Sequence, residues 1–382
     1  MTQDIVEGEG ALDEAWSRFA RSIETLGRRF VAARTDVDAR DRADGYRHLA
    51  HLVQDALAWC LGADPLFPRW IHLNDTAEIA DNRFARIDPG ESYRITGHVA
   101  SLFDINLSLH ADFNFLGRRE VWGDLGLAEL ATGPDGSIEV ILSATPHPGN
   151  WIAIPSEARF VQLREFYYDW NRDSPGRFEI VRIGSEGQAP ARPEPDEVAR
   201  QIDKAGQWVA GYLETHDDMI ERRYPKTRNI VTRPVSAAGG NRNLRYGFLR
   251  FAIAQGEALR IAFPAPRARA WTLQWLTDPW FENPDLANRA TSISGGEAAV
   301  GADGIVQIVM SGQDPGVANW IDIGGYTRGV AVLRWFWCDS DDPIETQAGP
   351  IDEVVAGLPR IDAAERQAQQ ARRRALFARR NR

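Results

Sequence analysis

Asp135-Gly136-Ser137-Ile138-Glu139-Val140-Ile141-Leu142-Ser143, followed by Pro148-Gly149-Asn150-Trp151-Ile152, recurs in order as Asp303-Gly304-Ile305-Val306-Gln307-Ile308-Val309-Met310-Ser311, Pro315-Gly316 and Asn319-Trp320-Ile321. Working outward, Gly90-Glu91-Ser92-Tyr93-Arg94-Ile95 is answered by Gly256-Glu257-Ala258-Leu259-Arg260-Ile261. Leu163-Arg164 and Asp169 are answered by Leu333-Arg334 and Asp339. The spacing between partners drifts only from 166 residues at Gly90 and Gly256 to 170 at Asp169 and Asp339, so the chain carries an internal duplication.

Each element of the repeat has a physical reading. Asp-Gly is a hairpin turn pair. The run after it alternates as a strand does, and Pro-Gly suits a type II turn because proline fixes the first φ and glycine accepts the positive second one. Short runs of this kind, bounded by Pro, Gly, Asn and Asp, extend from Asp64 onward. The clearest strands are Ser92 to Thr96, Asp104 to His110, Ser137 to Ser143 and Phe160 to Tyr168. The expected fold is α+β and mainly β, with two tandem antiparallel units of sandwich or jelly-roll type.

Helices frame these units. Trp16, Phe19, Ile23, Leu26 and Phe30 step by three or four and predict a helix over 12–33; Tyr46, Leu49, Val53, Leu57 and Cys60 predict another over 38–61. Two such stripes must be buried, and a β face is the expected partner. Gly184 to Pro195 reads as a linker, and Val198, Ile202, Ala205, Val209 and Leu213 predict a third helix over 196–221. The resulting organisation is a helical hairpin (1–62), a first β unit (64–183), a linker with its helix (184–243), a second β unit (244–343) and an Arg-rich helical tail (344–382), the tail either frayed or docked.

The chain has 382 residues, 43% hydrophobic and 26% charged, a globular composition that excludes global disorder. Its net charge of −10 argues against a nucleic-acid partner, which needs a basic footprint. Only Lys204 and Lys226 are lysines among the 44 basic residues, a bias that reads as genome composition, whereas 13 tryptophans supply large apolar area for a core or a ligand wall. Cys60 and Cys338 match no zinc spacing and form no disulfide framework. Met1 to Ala11 carries Asp4, Glu7 and Glu9 where a secretory signal needs positive charge and then an apolar run, and no 18-residue apolar stretch is present. A cytoplasmic location without a membrane span is expected.

Asp41-Arg42-Ala43-Asp44-Gly45-Tyr46-Arg47, Pro148-Gly149-Asn150-Trp151, Asn288-Arg289-Ala290-Thr291 and Asp314-Pro315-Gly316 leading into Asn319-Trp320-Ile321-Asp322 resemble bacterial proteins of domain-of-unknown-function family 1214. The resemblance covers about Gly247 to Pro343, with the helices and first unit similar to the N-terminal region such proteins often carry. It implies a β-rich fold and no settled catalytic residues.

The duplication separates scaffold from specialisation. Ser143 and Ser311, Asn150 and Asn319, Trp151 and Trp320, and Arg164 and Arg334 are shared, hence expected to be structural, with Asn holding its turn, Trp buried and Arg paired to a carboxylate such as Asp169 or Asp339. Before Pro-Gly the first copy has His147 and the second Asp314; after the shared Arg the first has Glu165 and the second Trp335. His147 and Asp314 on facing loops would make a general acid–base pair, against the plainer reading of a turn cap and an exposed His. Trp335, Arg289, His110 and Asp112 are the candidate ligand contacts. Asp44, His48 and His51 share a helix face that could hold a metal, but the further ligands are missing, and no metal or other cofactor is expected.

No Gly-x-Ser-x-Gly elbow, Walker loop, Rossmann fingerprint or His-Glu-x-x-His occurs. Two classes of function remain. One is an enzyme or carrier for a hydrophobic, and with these arginines an anionic, small molecule in an aromatic-lined cleft between the β units and under the N-terminal helices. The other is non-catalytic, a carbohydrate-binding module or an adaptor. The sequence leaves oligomeric state open.

Overall fold

The computed structural model describes residues 2–73, 79–236, 243–340 and 342–380. Helix α1 (Thr2–Leu26) runs on into a π-helical turn at Gly27–Ala32, and α2 (Ala39–Gly62) begins where the Asp38 carboxylate accepts the N–H groups of Arg40 (2.7 Å) and Asp41 (2.9 Å). Together with α3 (Pro195–Arg223) they bury Phe19, Leu52, Trp59, Ile202 and Trp208 against Phe84, Phe113 and Phe160 of the first β unit. Trp16 and Tyr46, expected on the buried stripes, are instead 58% and 48% exposed. Ala15 on α1 and Ala205 on α3 are the fully buried neighbours in the shared cluster, and Gly45 on α2 lies under the Trp280 ring, while the adjacent Trp16 and Tyr46 face outward.

The first unit holds β1 (Ile71–His72), β2 (Ala80–Arg86), β3 (Tyr93–His98), β4 (Asp104–His110), β5 (Val121–Gly126), β6 (Ser137–Ser143), β7 (Trp151–Ala153), β8 (Phe160–Phe166) and β9 (Arg177–Arg182). The second holds β10 (Val235–Ser236), β11 (Leu244–Ala252), β12 (Glu257–Pro264), β13 (Ala268–Leu276), β14 (Ser292–Ser294), β15 (Ile305–Ser311), β16 (Trp320–Asp322), β17 (Arg328–Cys338) and β18 (Glu345–Pro350). Sheet orders are β1-β2-β8-β4-β5 and β7-β6-β3-β9, then β10-β11-β17-β13-β14 and β16-β15-β12-β18. Every strand of the first unit thus has its counterpart nine strands later, in the same place. In each copy the chain crosses repeatedly between two sheets, as in a jelly roll. The fold is α+β, mainly β, with two duplicated sandwich units.

The repeated asparagines hold the same turn twice. Asn150 Nδ2 donates to the carbonyls of Ala131 (2.8 Å) and Glu139 (2.9 Å), and Asn319 Nδ2 to those of Ala299 (2.7 Å) and Gln307 (3.0 Å). Odd-numbered residues of β8 and β17, such as Leu163 and Leu333, point into the two sandwich cores. Phe166 and Phe336 point out and meet edge-on at 5.7 Å, joining Ala80, Leu244 and Ala270 in a packed junction. Along this line the expected cleft between the units is filled.

The domain limits shift at both ends of the second unit. β18 pairs with β12 beyond the expected limit at 343, and Val231 bridges Leu249 before the expected start at 244. β18 is a largely exposed edge strand, so Glu345–Pro350 carries no apolar alternation to betray it. After it come α4 (Ile351–Val354) and α5 (Ala363–Arg380), the Arg-rich tail, whose residues 381–382 lie outside the described residues. α5 is docked across both units. Arg366 binds Asp314 and the Val317 carbonyl, Arg373 the carbonyls of Leu286 and Ser292, Arg379 that of Trp170, and Arg380 the Asp81 carboxylate. Planar guanidinium forks can satisfy several acceptors at once, which allows arginines to serve as anchors in a buried contact.

Candidate functional site

The structure distributes the residues singled out in the sequence. His147 is exposed, its Nδ1 2.7 Å from the Pro148 carbonyl. Asp314 accepts the Gly316 N–H (2.9 Å) and is clamped by Arg366 at 2.8 and 3.2 Å. The two share no partner among the described residues, so the expected acid–base pair is not assembled: Asp314 is already neutralised by α5. Trp335 is not a cleft wall either, because its odd position on β17 sends it into the second core, 6.0 Å from Phe263. Arg289 pairs with Asp322 at 2.9 Å on the surface. His110 stacks on Phe160 (4.8 Å) and burial pushes its pKa down to about 4, while Asp112 accepts the Phe113 N–H at 2.8 Å and is raised by burial.

Neither shared arginine makes the expected carboxylate pair among the described residues. Arg164 Nε donates to Asn82 Oδ1 (2.9 Å), since its even position on β8 points outward, while Asp169 takes the Asn171 N–H (3.0 Å). Arg334 Nη1 is buried without a hydrogen-bond partner among the described residues. Trp151 is half-buried rather than fully enclosed, whereas Trp320 is buried. Two open hollows of about 520 and 530 Å³ lie beside Trp70 and beside Asn150. Arg69 is the one ionisable side chain lining the first and Glu139 the one lining the second, so neither hollow gathers catalytic chemistry.

Titratable groups converge elsewhere, at the seam between α2 and the loop after β13. Thr277 shapes that loop by exchanging backbone hydrogen bonds with Glu282 and Phe281, and Phe281 sits at φ 60°, a left-handed conformation uncommon for a bulky side chain. Trp280 Nε1 donates to the Asp41 carbonyl (2.8 Å) and its ring covers Gly45, where a Cβ would approach to 2.6 Å. This seats Glu282 against one face of α2. Glu282 Oε1 lies 2.7 Å from His51 Nδ1 and 3.7 Å from Arg47 Nε, and Oε2 lies 3.9 Å from His48 Nδ1. Arg47 also reaches Asp44 (3.3 Å), whose other oxygen accepts the Tyr326 hydroxyl.

Aromatic rings back the cluster. Tyr212 of α3 lies 5.9 Å from His48 and stacks on His216 at 3.7 Å, and His216 lies 5.6 Å from Phe281. Burial holds His48 down to about 3 and His216 to about 4, so both are neutral near pH 7. Burial also raises Glu282, against the lowering effects of Arg47 and His51. Glu282 Oε2 is buried with no hydrogen-bond partner among the described residues.

His51 differs from the two buried histidines, because its side chain is 43% exposed. A carboxylate on Nδ1 fixes the tautomer and leaves Nε2 to exchange protons, the relation by which a carboxylate orients a catalytic imidazole. Arg47, half exposed beside it, supplies a cation for an anionic group. Among the described residues no group of three or more His, Cys, Asp or Glu is arranged to hold a metal ion. The sequence signalled half of this site, through Asp44, His48 and His51 on one helix face. Glu282, 231 residues beyond His51, gave no local pattern to find.

No protein-family model matches the chain, and no curated protein matches it. Among solved structures it is similar to an uncharacterised protein from Burkholderia cenocepacia, 24% identical over 91% of this chain and 99% of the other, with a TM-score of 0.82. A protein from Vibrio parahaemolyticus is 11% identical over 80% of this chain and 98% of its own, with a TM-score of 0.47. The first likeness shows that the whole two-unit architecture occurs in another protein.

Proposed function

We propose that the chain binds a small organic anion with an apolar body at the α2 seam and moves a proton on it through His51. The observation that carries this reading is the 2.7 Å contact between Glu282 Oε1 and His51 Nδ1 on a ring that is otherwise 43% exposed. In this reading Arg47 holds the anionic group, Glu282 orients His51, and the rings of Tyr212 and Phe281 supply apolar surface nearby. The sparse polar set beside aromatic walls is the usual make-up of a small-molecule site. Aryl and alkyl carboxylates titrated against the protein test it: wild type is expected to gain thermal stability with one subset, and Arg47→Ala to lose that gain while folding normally. An equal response in both proteins excludes Arg47 as the contact.

Family 1214 is our proposed family for the chain, supported by the Asp314-Pro315-Gly316 and Asn319-Trp320-Ile321-Asp322 elements quoted above. A cytoplasmic location is proposed on the free thiols of Cys60 and Cys338 and the acidic balance. No helix among the described residues is long and apolar enough to cross a membrane.

A further inference from the structure

The two units differ where β2 pairs with β8. The cross-strand pair Asp81 and Glu165 of the first unit stands where the second has Arg245 and Trp335, and Arg83 stands where the second has Gly247. In the second unit Trp335 fills the sandwich. In the first, Glu165 is fully buried and its Oε2 takes the Tyr167 hydroxyl (2.6 Å) and Arg83 Nη2 (3.1 Å). The Asp81 carboxylate takes both prongs of Arg380, Nε at 2.8 Å and Nη2 at 2.5 Å. Arg380 Nη2 also donates to the Ala80 carbonyl (3.0 Å), and its guanidinium lies 4.7 Å over the Tyr167 ring, with 1% of the side chain exposed.

A buried carboxylate needs a partner, and here the partner comes from a separate helix rather than from the unit that owns the carboxylate. We propose that Asp81, the Ala80 carbonyl and the face of Tyr167 form a guanidinium-binding site of the first unit, that Arg380 is its intramolecular occupant, and that small alkylguanidinium compounds compete for it. The carboxylate matches the fork, the carbonyl takes a further N–H, and the ring accepts the flat cation on its face; a point-like ammonium uses only part of this set. Glu165 Oε1 and Arg83 Nε, both buried without a hydrogen-bond partner among the described residues, belong to the same charged group and leave polar capacity beside it. α5 is held apart from this cradle by Arg366 and Arg373 on the second unit and by Arg379 on the Trp170 carbonyl, so a competitor need displace only the Arg380 side chain and not the helix.

The test uses the full chain with Arg380→Ala, and Arg380→Gln where the alanine variant does not fold. Agmatine is the probe and putrescine, its ammonium counterpart, the control. The emptied site is expected to raise the melting temperature by several degrees with millimolar agmatine and not with putrescine, and to lose that response in the Asp81→Asn/Arg380→Ala double variant. Calorimetry is expected to show wild type binding agmatine roughly tenfold or more weakly than Arg380→Ala, because the occupant must first be displaced. No agmatine response, an equal response to putrescine, a response that survives Asp81→Asn, or equal affinity in wild type overturns the proposal.

Discussion

Trp151 and Trp320 make the same hydrogen bonds in their two units: each indole N–H lies 3.0 Å from a serine hydroxyl and 3.2 Å from that serine's carbonyl, Ser143 in one case and Ser311 in the other. Their surroundings differ. Trp320 is covered by the Arg366 guanidinium, 5.0 Å over its ring, and packs with Val354, Val355 and Leu358, whereas Trp151 stays half-buried. Trp320→Ala is therefore expected to cost roughly 3–5 kcal/mol and Trp151→Ala about 1–2 kcal/mol. Urea melts of the two variants check the order.

The residues that occupy equivalent loop positions should also separate. Asp314→Ala leaves Arg366 without its carboxylate and is expected to cost about 1–3 kcal/mol, while His147→Ala stays within about 0.5 kcal/mol of wild type. Equal losses would mean that α5 does not depend on the Asp314 pair.

At the seam, Gly45→Ala would set a methyl group 2.6 Å from the Trp280 ring. Trp280 cannot yield without giving up its bond to the Asp41 carbonyl, so the expected outcome is a loss of about 1–3 kcal/mol. Tryptophan fluorescence should shift at the same time.

Acid should loosen the same seam. His48 and His216 are held at about 3 and about 4, below the ordinary 6.5, so below 6.5 the unfolded chain binds more protons than the folded one. Their contribution is complete above about pH 6.5 and is lost as the pH falls towards 4 and then 3, at roughly 5 kcal/mol for His48 and roughly 3 kcal/mol for His216. Glu282 and Glu165, raised by burial, act with the opposite sign: their contribution is present in acid and lost as the pH climbs through their folded pKa. Urea midpoints are expected to fall from pH 7 to pH 5 in wild type, and less steeply in His48→Gln.

Much of the architecture was legible because its signals are local. Pro148-Gly149 and Asp303-Gly304 announce turns, the third helix expected over 196–221 runs as Pro195–Arg223, and the strand over Asp104–His110 falls where alternation put it. What escaped depends on partners distant in sequence. The Arg-rich tail reads as frayed or docked with nothing in its sequence to decide between them, and Arg373 and Arg380 are buried on carbonyls and a carboxylate supplied by other elements. Trp335 reads as a specialised position, but a tryptophan facing inward on β17 simply fills its sandwich. The candidate site itself joins one helix face to a single glutamate on a loop, and only the helix half carries spacing.

The central claim is that His51, Glu282 and Arg47 form a ligand site, and native mass spectrometry of protein purified gently from its host tests it most directly. Wild type is expected to carry a copurifying small acid that is displaced on denaturation, with Arg47→Ala and His51→Ala folded but empty. Wild type without any bound small molecule, or variants that retain it in full, would contradict the account.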